Sequence, residues 1–66
     1  MNPRSTTIKE LEAYGYILKR HGSNHDIYFN PVTKSTIPVK RHDFNDNDMK
    51  YIFKDRLCHE YVIRQH

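Results

Sequence analysis

Residues 14–39 read YGYILKRHGSNHDIYFNPVTKSTIPV, three extended runs separated by two sets of turn residues. Gly15 tolerates a left-handed backbone, so it stops any helix that precedes it. Beyond it, Tyr16 and Leu18 fall on one face of a strand and Ile17 and Lys19 on the other. Gly22, Ser23 and Asn24 make a turn. "HDIYFN", residues 25–30, is a second strand, closed by Asn30-Pro31. "KSTIPV", residues 34–39, is a third. Pro38 has no N–H to give a ladder, so this strand is an edge or ends there. Both connections are short, which makes the sheet an antiparallel meander.

On the N-terminal side, residues 1–6 read as frayed. Thr7-x-x-Glu10 forms a capping box, with Ser5 as a competing cap. Ile8, Leu11 and Tyr14 share one helical face, which predicts a helix over 7–14. On the C-terminal side, Asn45 caps a second helix. Phe44 at N′ and Met49 at N4 have the spacing of a hydrophobic staple. Asp46 and Asp48 suit the positive end of the helix dipole. Met49, Ile52, Phe53 and Leu57 follow at helical spacing. The tail "CHEYVIRQH", residues 58–66, holds no breaker and either continues the helix or packs back. The order is helix, three-stranded antiparallel sheet, helix. One apolar sheet face carries both helices in a two-layer α+β domain over 1–66.

A chain of 66 residues has a marginal core. Its single cysteine, Cys58, excludes an internal disulfide. No apolar run approaches the about 18 residues of a membrane span. "MNPRSTTIKE" lacks the apolar centre of a signal peptide. A lone thiol without an export signal points to the cytoplasm. Net charge is +3, and it is uneven: residues 1–42 carry seven Lys and Arg against three acids. A basic front half fits a polyanion, nucleic acid first.

The chain resembles the HicA-type toxins, or HicA mRNA interferases, of HicA/HicB toxin–antitoxin pairs. Four pieces carry the resemblance in order. They are "LEAYGY", a helix ending in Gly plus an aromatic; "ILKRHGSNHDIY", a basic strand ending in Gly-Ser-(x)-His; "TIPVKRH", a Pro-x-x-His-like close to the third strand; and a final helix soon afterwards. Together they span roughly residues 7–57. The resemblance implies a fold similar to the double-stranded-RNA-binding domain. It implies RNA cleavage without a required metal or other cofactor, and a HicB-type antitoxin as partner. It makes His25 the catalytic residue, presented by Gly22, Ser23 and Asn24. Asn24 separates Gly-Ser from the histidine. Only imidazole can do the chemistry, and Tyr28 then falls three residues later, where the family places its aromatic.

RNA carries its own nucleophile, the 2′-OH. A nuclease needs a base for that proton, an acid for the leaving 5′ oxygen, and positive charge near the phosphate. Histidine titrates close to neutrality and serves as either acid or base. Backbone N–H groups of the turn, Ser23 among them, can face a phosphate. Lys19, Arg20, Lys40 and Arg41, from strand ends that neighbour each other in the meander, are candidate phosphate contacts. Their bland reading is a solvated basic surface. His21 and His42 are candidate second imidazoles, with a structural role favoured for both. His21 and His25 lie four apart across a turn, and Cys58-His59 is adjacent, so no metal site is expected. Cys58 reads as a small buried or half-buried residue. Of the aromatics Tyr14, Tyr16, Tyr28, Phe29 and Phe53, most belong to the core, but one of Tyr28 and Phe29 should face out.

The expected function is a toxin that cleaves messenger RNA in the bacterial or archaeal cytoplasm, with His25 as general acid or base. A non-catalytic dsRBD-like RNA-binding module is the rival, and a pure protein-interaction domain is a second. RNA sequence preference and the assembly, homo-oligomer or toxin–antitoxin hetero-oligomer, stay open from sequence.

Overall fold

The computed structural model describes residues 2–57. The expectations for the tail 58–66, for Cys58 and for His59 lie outside the described residues. The elements are α1 (Pro3–Ala13), β1 (Ile17–His21), β2 (His25–Phe29), β3 (Thr36–Lys40) and α2 (Asp46–Tyr51), the last running on into a π-helical turn, Ile52–Arg56. The sheet order is β1-β2-β3, antiparallel throughout. This is the expected α+β arrangement, consistent with a dsRBD-like fold.

Helix α1 starts four residues earlier than predicted, and residues 3–6 are helical rather than frayed. Asn2 is the cap: its side-chain oxygen accepts the Ser5 N–H at 2.7 Å. Pro3 follows at the first helical position, where its missing N–H costs nothing. Thr7 is therefore interior and buried, and its hydroxyl donates to the Pro3 carbonyl at 2.8 Å. The Thr7–Glu10 capping box does not form. The other end matches expectation. Gly15 has φ +94°, the Gly15 N–H donates to the Glu12 carbonyl, and the Tyr16 N–H donates to the Leu11 carbonyl, both at 3.0 Å. These bonds close a Schellman motif, with Leu11 and Tyr16 both buried beside it.

Strand β2 is central and alternates cleanly. Asp26 and Tyr28 are buried toward the helices, while His25, Ile27 and Phe29 take the opposite face. Phe29 is the outward aromatic of the pair. β1 does not keep the predicted alternation. Tyr16 is buried, but all five residues of β1 are exposed, and the register slips between Leu18 and Arg20. A bulge at Lys19 puts one extra residue into the edge strand and re-aims the side chains after it. β3 begins two residues later than predicted and ends at Lys40, with Pro38 inside it opposite Ile27. Pro38 is tolerated because β3 is an edge.

Asn45 caps α2 as expected, accepting the Asn47 and Asp48 N–H groups, and Asp48 accepts the Asn45 N–H in return. The π turn follows from the spacing of Ile52 and Leu57. Five residues apart, they would diverge in an α-helix; the wider turn carries the Leu57 N–H to the Ile52 carbonyl at 2.9 Å and lets both side chains reach the core. That core is Leu11 from α1, Tyr16, Tyr28, Ile37 and Val39 from the sheet layer, and Ile52 and Leu57. Asn30 fastens the end of β2 to it: its side-chain N–H donates to the Tyr14 carbonyl at 2.9 Å. Among the described residues no helix is long and apolar enough to cross a membrane.

Candidate active site

The end of β1, the start of β2 and the end of β3 lie together at one end of the sheet. His21 pairs with Asp26, and His25 pairs with Lys40. The Gly22–Asn24 turn closes this end. The Gly22 N–H donates to the His25 carbonyl at 2.8 Å. A side chain at position 22 has no room, because a Cβ there would sit 2.4 Å from that same carbonyl oxygen. The sequence needs glycine here for close approach rather than for a left-handed backbone.

His25 is exposed where the chain leaves this turn. It stands between two concavities. One is lined by Arg20, Gly22, Ser23, Asn24 and Pro38. The other runs between β3 and α2, past Lys40 and Tyr51. The imidazole thus occupies a rim open on both sides.

The candidate cations are differently employed. Lys19 lies over the Phe29 ring, 4.8 Å from its centroid. Arg20 is exposed on the first concavity. Lys40 Nζ lies 3.4 Å from an Asp48 carboxylate oxygen. Arg41 holds the turn: its N–H donates to the Asn24 carbonyl and its guanidinium to the Gly22 carbonyl, each at 2.9 Å. β1 and β3 are not adjacent strands, since β2 lies between them. Arg20 lines one concavity beside His25 and Lys40 the other.

Asp26, a residue the sequence did not single out, is the electrostatic centre of this end. Its side chain is 5% exposed. Arg4 donates to one carboxylate oxygen at 2.6 Å, and His21 Nδ1 lies 2.9 Å from the other. Arg41 Nε is 3.7 Å from that second oxygen. Burial pushes the Asp26 carboxyl up, but the hydrogen bond and charge of His21, then the charge of Arg41 and the Arg4 bond, outweigh it and leave the pKa below the ordinary value. His21 is therefore bound to the buried carboxylate on the helix-side face, and His25 belongs to the other face. The two imidazoles are not brought together. His42 is exposed in the bend between β3 and α2. The available signal for Asp26 was its place in the alternation of "HDIYF", which sets an acid on the buried face.

A family model for the HicA toxin of bacterial toxin–antitoxin systems matches residues 4–54. The chain belongs to the HicA toxin family. No curated protein and no solved structure gives a match. The family match runs from α1 into the π turn and includes His25 and the Gly22–Asn24 turn. As a HicA-family toxin, the protein is one half of a toxin–antitoxin system.

Proposed function

We propose that this HicA-family toxin is a metal-independent endoribonuclease that cleaves messenger RNA, with His25 as general acid or base, and that a HicB-type antitoxin neutralises it by covering this rim. The observation that carries the reading is the placement of His25: an exposed imidazole at the strand mouth, between two concavities and flanked by basic strand ends. In the proposed reaction the 2′-oxygen bonds to phosphorus as the bond to the 5′-oxygen breaks. One proton leaves the 2′-OH and one reaches the 5′-oxygen, and imidazole can serve either transfer. Arg20 and the N–H groups of Ser23 and Asn24 supply positive potential to the phosphate. Arg41 contributes by holding the turn.

The test is cleavage of RNA in EDTA by the wild type beside His25→Ala. Cleavage by the wild type alone supports the histidine mechanism. Equal cleavage by both removes His25 from the chemistry. If neither cuts while both bind RNA with a steep salt dependence, the protein is a binding module.

A further inference from the structure

The groove between β3 and α2 has no role in the proton transfers, yet it opens beside His25. Its volume is about 200 Å³. Buried Ile37 and Ile52 lie at its base, and Pro38 and Tyr51 line it. Tyr51 is 56% exposed, a large aromatic surface left in water at the end of α2. Lys40 and Arg56 line the same groove. Lys40 is shared with Asp48, and Arg56 donates to the Thr36 carbonyl. Apolar surface, an exposed aromatic ring and two cations in one groove suit a flat aromatic ligand carrying a phosphate.

We infer that this groove is a nucleobase subsite: it takes one unpaired base of single-stranded RNA next to the scissile phosphate, with Tyr51 as the stacking surface and Lys40 and Arg56 beside the backbone. The inference rests on the ribonuclease reading for its substrate class. The physical argument is that every base has a π-face, so an exposed aromatic beside cations binds single strands with little sequence demand. His25 lines the same groove, so a base seated there brings an adjoining phosphate to the imidazole. An antitoxin segment is the competing occupant. Two cations, Lys40 and Arg56, against the single carboxylate of Asp48 in the same groove favour the polyanion.

The probe is a short single-stranded 2′-O-methyl oligoribonucleotide, which cannot be cleaved because its nucleophile is blocked. Binding is measured by fluorescence anisotropy on the full chain. An abasic oligonucleotide of equal length and charge is the control. Tyr51→Ala should weaken binding of the first by about tenfold, in the range of one lost base–aromatic stack. Tyr51→Phe should keep it, and binding of the abasic control should be unchanged in both variants. Equal binding of the base-containing probe by wild type and Tyr51→Ala, with unchanged melting temperatures, overturns the inference. So does a Tyr51→Ala variant that loses only the antitoxin, which would make the groove a protein-docking surface. His25→Ala separates the two readings. If it cuts RNA as fast as the wild type while Tyr51→Ala still loses the probe, the catalytic assignment fails and the subsite stands.

Discussion

Arg41 and Gly22 are joined across the end of the sheet by a guanidinium-to-carbonyl hydrogen bond of 2.9 Å. With the Arg41 N–H on the Asn24 carbonyl, one residue just past the end of β3 holds both sides of the turn that leads into His25. Arg41→Ala should therefore slow RNA cleavage more than it weakens RNA binding. Lysine keeps the charge but not the planar fork, so Arg41→Lys should recover little. Comparing cleavage rate with binding of a non-cleavable 2′-O-methyl oligonucleotide checks this. A parallel loss of both would make Arg41 an RNA contact instead.

The Asp26 node gives acid stability a sign. Its folded pKa lies below the ordinary 3.8. Above that value the carboxylate is ionised in both folded and unfolded chains, and its favourable interactions count in full. As pH falls below it, the unfolded chain takes up the proton first, and the stabilisation is lost on the way down through the folded pKa. Asp48 is lowered too, by the Asn45 N–H against burial and with help from Lys40, so it acts in the same direction. Comparison with Asp26→Asn isolates the first group. Urea unfolding at falling pH should show a stability gap between wild type and variant that closes as pH falls below 3.8. A gap that persists undiminished in acid would mean that Asp26 is not held ionised.

Gly22→Ala should damage both fold and activity. Its Cβ would meet the His25 carbonyl oxygen at 2.4 Å, and that atom is backbone, so the turn itself must open. Overpacking of this kind costs about 1–3 kcal/mol, a serious loss for so small a domain. Thermal melts should fall and cleavage should drop with them. Ser23→Ala, one position along on an exposed site, should leave the melt unchanged. An unshifted melt for Gly22→Ala would show that the turn has slack.

Local signals made most of the fold legible. The alternation of 25–30, the Gly15 stop and the Asn45 cap each act within a few residues, and each appears where expected. What escaped had two physical causes. Asn2-Pro3 is a cap and first-turn signal lying so near the chain start that Thr7 and Glu10 read as the stronger start. The bulge at Lys19 leaves no mark in the composition of "ILKRH". Site geometry was less legible still. The position of His25 follows from a local turn, whereas the partners of Asp26 come from residues 4, 21 and 41. A buried acid implies partners without saying which ones.

The Arg4–Asp26 pair is the contact that ties α1 to the sheet end, 22 residues apart in sequence. Arg4 Nε also donates to the Lys40 carbonyl at 2.8 Å, so the same guanidinium reaches β3. Arg4→Ala removes both bonds and leaves a carboxylate that is 5% exposed with His21 and Arg41 as its remaining side-chain partners among the described residues. The expected loss is about 1–3 kcal/mol, the cost of under-pairing a buried polar group. Asp26→Asn should cost a similar amount, because an amide cannot hold the guanidinium as strongly. The double variant should then be less destabilised than the two single losses added together, since the second change removes a partner already lost. Urea unfolding of the four proteins measures that coupling. Strict additivity would mean that Arg4 acts through the Lys40 carbonyl alone, and that α1 is fastened to β3 rather than to the strand that carries His25.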